Sequence, residues 1–346
     1  MDKMDKTSSQ LNATQKINWQ AIVAKYQVPD TWRSVWQVAN TIIPFFLLWY
    51  AMVRLIDISY WLTLLFAIPT AAFMVRGFII FHDCCHGSFF KTARANDRLG
   101  LLLGVLLLTP YYLWKHQHAV HHATAGDLDR RGTGDIWTMT VEEYLAAPWW
   151  KKAGYRVMRN PLVLFTVGSF LSFAVFQRFA PSNAGRRERN SVIWTNLALV
   201  GFIGWLMYSV GWQAFLLVEV PVLFLAASGG VWLFYVQHNF DPTYWERHDS
   251  WQFFKAGMDG SSFYKLPKIL QWFSGNIGFH HIHHLSPKIP NYKLEQCHRE
   301  NPLFQIEPLN FMEGFKGLFY RLWDEKRQRL VGFDVLKQYR RQMTQG

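Results

Sequence analysis

The chain has 346 residues, half of them from the set AVILMFWYC, with 17 Trp, 28 Phe and a formal net charge of +12. Its three cysteines, two of them the adjacent Cys84 and Cys85, exclude paired CxxC zinc or iron–sulfur sites and suit a reducing, cytosol-facing compartment. The cations lie in loops and at the C-terminal end, Lys151, Lys152, Arg156 and Arg159 before one apolar segment and Arg186, Arg187 and Arg189 after it; with no recognition motif beside them, nucleic acid is excluded as a partner.

Residues 1–35 form a polar N-terminal segment in which Met1 to Trp32 holds no apolar run of signal-peptide length, so no cleaved leader is expected. Two apolar runs follow, 36–55 and 58–81, each long enough to cross a hydrocarbon core of ~30 Å as a helix, with Asp57 in a short turn between them. The next block, Leu99 to Trp114, is broken by Pro110 and is expected to be re-entrant or interfacial, because a single crossing there would put the histidine clusters on either side of it on opposite faces of the membrane. Pro161 to Gln177 contains Gly168 and has basic residues on both sides, which argues against a single crossing. The block from Val192 to Val236, with Gly211 near its middle, reads as a helical hairpin. The expected fold is therefore an all-α integral membrane protein of about four transmembrane helices, six being the alternative, with interfacial or re-entrant helices and a cytoplasmic histidine-rich cap. Residues 36–284 form the membrane domain and 285–346 a polar, charged cytoplasmic C-terminal segment.

The histidines carry the chemistry. His82 and His86, in HDCCH, lie four apart at the continuation of the second membrane helix and so share one helical face. His118, His121 and His122 form HxxHH, His280, His283 and His284 form a second HxxHH, and His238 ends the last membrane helix. Nine imidazoles exceed what one ion can use, since zinc takes about four ligands and six-coordinate iron six, so two metal ions are implied. Neutral imidazole suits iron, and a two-metal centre with open positions can bind and reduce dioxygen, the oxidant an unactivated C–H bond requires. Asp83, Asp127, Asp129 and Asp135 are candidate acceptors for the free ring N–H groups. His116 and His281, inside clusters but off the spacing, and the isolated His248 and His298 are read as non-ligands. Glu219, near the outer turn of the hairpin, is read as solvated.

The stretches FIIFHDCCHGSFFK, HHATAGDLDRRGTGDIW, GVWLFYVQHNF, GSSFYKLPK and GNIGFHHIHHLSPKIPNYKLE resemble the membrane fatty acid desaturase family over nearly the whole chain, and within it the bacterial acyl-lipid desaturases of the Bacillus delta-five type. The family's three histidine boxes correspond to 82–86, 118–122 and 280–284. The resemblance implies that the eight box histidines and His238 bind two irons, and that the protein uses dioxygen to introduce a cis double bond into acyl chains of membrane lipids. One position departs from the animal acyl-CoA branch: that branch has an asparagine four residues before the isolated histidine, and this chain has Phe234, which favours a lipid-bound over a CoA-bound substrate. Asn276 is a candidate replacement for it.

Residues 99–114 and the last hairpin are expected to line an apolar tunnel for the chain. With no GxGxxG and no CxxCH, electrons must come from a separate small carrier such as ferredoxin or flavodoxin, drawn by the basic cytoplasmic face. The expected location is the inner, or plasma, membrane, multi-pass, with the boxes facing the cytoplasm. Two rival functions are a hydroxylase of alkanes, sterols or carotenoids on the same scaffold and a divalent-metal transporter. The latter would place its ligands near the membrane midplane, whereas these clusters lie at helix ends and in polar segments.

Overall fold

The computed structural model describes residues 18–345, so residues 1–17 of the N-terminal segment lie outside the described residues. Helix α1 (Thr31–Leu55) opens where Asp30 accepts the Arg33 N–H at 3.1 Å, satisfying one of the amides a helix start leaves free. A turn containing Asp57 leads to α2 (Tyr60–His86), which stops at Gly87, whose left-handed φ of 65° favours glycine. The 27 residues of α2 rise about 40 Å at 1.5 Å each, so the helix spans a ~30 Å hydrocarbon core and still projects its last turns beyond it. HDCCH occupies those turns.

Helices α3 (Ala93–Leu106) and α4 (Tyr111–Thr124) divide the block from Leu99 to Trp114 between them. At 14 residues, about 21 Å, neither is long enough to cross. They are joined by a tight turn in which the Thr109 N–H donates to Gly104 O at 2.7 Å and Leu108 takes φ 53°. The basic helix α5 (Trp149–Met158) and the following run Val163–Arg178 are bent by 70° to each other, so that region is no straight crossing either. The expected hairpin is α6 (Arg186–Val210) and α7 (Trp212–His238), turning at Gly211 with φ 87°.

Among the described residues four helices, α1, α2, α6 and α7, are long and apolar enough to span a membrane, which bears out the all-α membrane fold. Half of the apolar window of α2 is buried inside the protein, against 22% for α1 and α6 and 33% for α7, so α2 is the inner helix of the bundle. Phe45, Trp49 and Met52 of α1 and Val218 and Val222 of α7 pack with Ala67, Ala71 and Met74 of α2, and Leu103 of α3 joins the same core.

Two small sheets accompany the helices. Strand β1 (Met139–Thr140) runs parallel to β4 (Leu322–Asp324), which pairs antiparallel with β5 (Arg329–Val331), and β2 (Tyr264–Lys265) runs parallel to β3 (Leu309–Asn310). They stitch residues after 300 onto loops of the membrane region, and Trp323, fully buried, packs there with Leu128, Trp245 and Leu330.

The turn at 107–110 depends on close backbone approach. A Cβ on Gly104 would lie 2.6 Å from Thr109 O, whereas one on Gly201 of α6 would meet nothing within 4 Å. Gly104→Ala is expected to cost about 1–3 kcal/mol, read as a lowered thermal midpoint in detergent, while Gly201→Ala leaves the midpoint at or above wild type. Equal midpoints would refute the close-approach account.

Candidate metal centre

Four elements bring the predicted histidines together. His82 and His86 stand one turn apart at the end of α2, and His118, His121 and His122 follow one another along α4. His238 is the last residue of α7, and His280, His283 and His284 come from the short helix α8 (His280–Leu285). They form two adjoining groups able to hold a metal ion: His82, His86, His118, His122 and His283 in one, His121, His238, His280 and His284 in the other. Within each group the nearest ring nitrogens all lie within 4.8 Å of one another.

Ring nitrogens face ring nitrogens throughout. His122 Nε2 is 3.1 Å from His118 Nε2 and 3.0 Å from His283 Nε2, and His238 Nε2 is 3.2 Å from His121 Nε2 and 3.0 Å from His280 Nε2. His86 Nε2 and His284 Nε2 are buried with no hydrogen-bond partner. Burial first, and then the neighbouring imidazoles, hold His118, His122, His280, His283 and His284 well below the usual histidine pKa, so these rings are neutral at pH 7. Neutral imidazoles converging on common points with unshared lone pairs suit a cation in each group, and the donor set suits iron or zinc.

Other residues fix ring orientation, as is usual for metal-binding histidines. Asp135 takes the Nδ1 side of His121. Burial is the largest influence on the Asp135 carboxyl and pushes it up, but the hydrogen bond and charge of His121, the Gly132 N–H and the nearby His238 together leave its pKa lowered. Asp83 Oδ1 lies 3.3 Å from His82 Nδ1, while its Oδ2 accepts both the backbone and side-chain amides of Asn291 at 2.7 and 2.8 Å. Gly260 O is 3.2 Å from His238 Nδ1, and the Trp114 ring stacks on His118 with centroids 4.2 Å apart.

Two of the four aspartates expected in this role serve elsewhere. Asp127 is bound to Arg130 and His248, and Asp129 to Arg247 and the His248 N–H, so both organise a loop. Asn276 is also committed, accepting from Gln271 Nε2 at 2.8 Å and donating to Asn291 O at 3.2 Å, which leaves it no part beside the imidazoles. Glu219 is half-buried and accepts from Trp49 Nε1 at 2.9 Å, so it is a helix-to-helix contact instead of a solvated charge.

The four other histidines join neither group. His116 is exposed, His281 Nε2 and His298 Nδ1 both meet Phe304 O at 2.8 and 3.0 Å, and His248 faces Asp127.

A cavity of about 290 Å³ opens at the imidazoles and runs down among the helices. His82, His118 and His280 stand at its head, and Leu223, Ala226, Gly230 and Leu233 of α7 line its length, as the reading of the last hairpin anticipated. Leu107 and Trp114 are the contribution of 99–114. The other wall, Met74, Val75, Phe78 and Ile79 of α2, was missed, although counting back from His82 by helical spacing places Val75, Phe78 and Ile79 on its face. From Leu223 to Gln237 the lining covers about 21 Å along α7. That length of mostly apolar lining suits a chain.

A helical membrane body carrying two adjoining groups of buried histidines at the head of an apolar cavity is the build of a membrane oxidoreductase acting on long apolar chains. The chain belongs to the fatty acid desaturase family, whose profile matches residues 59–306. It is 49% identical over 316 residues, 91% of this chain and 90% of the other, to a fatty acid desaturase of Bacillus subtilis (strain 168). It is 30% identical over 260 residues to an sn-1 acyl-lipid omega-3 desaturase (ferredoxin) of Synechocystis, covering 72% of this chain and 66% of that one, and 26% identical over 238 residues to an sn-1 oleoyl-lipid 12-desaturase of the same organism. It is thus an enzyme that desaturates fatty acyl chains.

If the two groups hold separate ions, removing one imidazole lowers bound metal. His283→Ala and His121→Ala are each expected to bring metal per folded protein down toward half or below. His116→Ala keeps the wild-type ratio. Elemental analysis of protein that elutes monodisperse decides it, and a wild-type ratio in His121→Ala would falsify the ligand assignment.

Proposed function

We propose that the protein inserts a cis double bond into acyl chains esterified in membrane lipids, with two irons held by His82, His86, His118, His122 and His283 and by His121, His238, His280 and His284. The observation that carries this reading is the placing of both histidine groups at the head of a cavity that descends between membrane-spanning helices. Overall, a pair of adjacent methylenes loses two hydrogens while dioxygen, two electrons and two protons become two waters. Iron bound by the histidines would supply the dioxygen-activating oxidant.

The protein's own part is positioning and exclusion of water. The walls from α2 and α7 hold the chain extended. Trp114 both lines the cavity and stacks on His118, so the chain passes against a side chain that fixes a histidine. Phe234 also lines the cavity, its ring 5.2 Å from His121 and 5.3 Å from His238, filling with apolar surface the position that is asparagine in the acyl-CoA branch. Expression in a host lacking unsaturated lipids, followed by mass-spectrometric location of double bonds, tests the reading. New monounsaturated chains in phospholipids are expected; hydroxylated chains without double bonds would support a hydroxylase.

The histidine end of α2 and α7 is proposed to face the cytoplasm, which makes the turns at Asp57 and Gly211 external and follows from the basic residues at the histidine side. The native cysteines Cys84, Cys85 and Cys297 are all buried, so background labelling is low. Cysteines introduced at Asp57 and Gly211 are expected to react with an impermeant thiol reagent in intact cells, and one at Asn183 is not. Labelling at Asn183 alone would invert the assignment. Electrons are proposed to come from a small acidic carrier of the ferredoxin or flavodoxin kind.

A further inference from the structure

Four rings lie in sequence between an exposed basic patch and the first histidine group. Arg187, at the start of α6, has 65% of its side chain exposed and its guanidinium 3.8 Å above the centre of the Tyr112 ring. Tyr112 meets Tyr111 with centroids 4.9 Å apart, Tyr111 meets Phe81 at 5.8 Å, Phe81 meets Trp114 at 5.3 Å, and Trp114 stacks on His118 at 4.2 Å. Tyr111 and Phe81 are fully buried, so the row leads inward from the surface. A second link is polar: the Tyr111 hydroxyl bonds to both Asp97 and the Cys84 carbonyl at 2.8 Å, and Cys84 stands between His82 and His86.

We infer that Arg187 and Tyr112 mark the docking surface of an acidic one-electron carrier, and that the row Tyr112, Tyr111, Phe81, Trp114 is the medium through which its electrons reach the histidine centre. This rests on the proposed function, which needs two electrons per double bond and therefore two carriers oxidised by one electron each. Electron tunnelling falls off steeply with distance and is faster through packed atoms than across gaps, so a continuous contact path favours entry here. The rings themselves are not oxidised. The protons consumed come from solvent.

Charge supports the same partner. Asp97 of α3 joins the two helix starts, with the Lys115 ammonium 2.9 Å from its carboxylate and Arg187 of α6 4.0 Å from it; Arg94 and Arg98 on α3 and Arg186 on α6 are exposed in the same first turns, which makes five cations against the carboxylates of Asp97 and Glu188. Such an excess attracts an acidic protein over about the ~8 Å screening length at physiological salt. Arg187 is singled out from its neighbours by geometry. Arg189 is turned back onto its own loop, donating to Ala184 O and Ser182 O, and has no place over the ring row. An acidic side chain that pairs with Arg187 would be held directly over the outermost ring. Apart from Trp114, no member of this row lines the acyl cavity, so the routes of electrons and substrate meet only at that ring.

The test uses the full-length protein in nanodiscs of neutral phosphatidylcholine, with an acidic [2Fe–2S] ferredoxin as probe. Arg187→Glu is expected to weaken ferredoxin binding, measured by surface plasmon resonance at low salt, by about fivefold, the scale of one exposed ion pair. Binding of wild type should weaken with added salt. In turnover the same variant should raise the apparent KM for ferredoxin while leaving unchanged the rate driven by a small chemical reductant. Phe81→Leu should leave binding at the wild-type level but slow ferredoxin-driven reduction, and Tyr111→Phe, which keeps the ring, should slow it less than Tyr111→Leu. If Arg187→Glu binds ferredoxin as wild type does, the docking surface is elsewhere. If an effect of Arg187→Glu appears only when anionic lipid is present, the patch holds lipid headgroups and the proposal falls. If wild type desaturates with the chemical reductant but never with ferredoxin or flavodoxin, the donor class itself is wrong; if it forms no double bond with any reductant, the proposed reaction is.

Discussion

Bringing nine imidazoles into one buried space is the constraint on which the rest of the structure depends. A ring must be neutral to offer a lone pair, and for His118, His122, His280, His283 and His284 burial beside other imidazoles lowers the pKa and favours that form. Neutral rings with facing nitrogens 3.0–3.2 Å apart gain little from one another, and some nitrogens, such as His86 Nε2, have no partner at all. Such an arrangement is stable only where surrounding elements hold it or a cation satisfies it. Here the surroundings are elaborate. Asp135 and Asp83 fix two rings, the Gly260 carbonyl a third, and Trp114 braces a fourth.

Helix length converts that constraint into a location. Helices α2 and α7 each have 27 residues, longer than a crossing needs, and each delivers histidine at the projecting end. The short helices α4 and α8, too short to be spans, supply the other imidazoles. The histidine groups consequently sit at the head of the cavity that α2 and α7 line, so one pair of helices both carries imidazoles and shapes the cavity below them. Residues after 300 close the same assembly from outside through β3, β4 and β5. The buried Arg159, which donates to Asn239 Oδ1 and Tyr320 O, ties α5 to that closure.

The parts of this architecture that follow from local rules were readable in advance. Length and apolarity identify the four spans, Gly211 marks the hairpin turn, and the i, i+4 spacing of His82 and His86 puts both on one face of α2. The off-pattern histidines were readable too, because HxxHH spacing separates His116 and His281 from their neighbours. The expectations that failed concern polar side chains whose partners, near or far along the chain, are chosen by the way loops and helices pack. Asp127 and Asp129 have the chemistry to support a ligand, but the segment around Arg247 and His248 takes both of them. Asn276 is taken by Gln271 and Asn291, and Glu219 by Trp49, 170 residues away. The small sheets, of strands two or three residues long, leave no periodic trace.

Sequence by itself determined the number of imidazoles, the two membrane helices that carry His82, His86 and His238, and the chemistry the imidazoles permit, because these depend on spacing along one helix and on composition. Only the tertiary structure decided how nine rings divide into groups of five and four, with His122 of one box in one group and its neighbour His121 in the other. It alone showed that α2 walls the cavity as well as carrying the first box, and that a row of rings from α4 and α2 reaches from Tyr112 to His118. The physical reason is that the division depends on the rotation of α4 relative to α2, α7 and α8. That rotation is set by packing contacts such as Tyr111 against the Cβ-free surface of Gly100, and no local spacing encodes it.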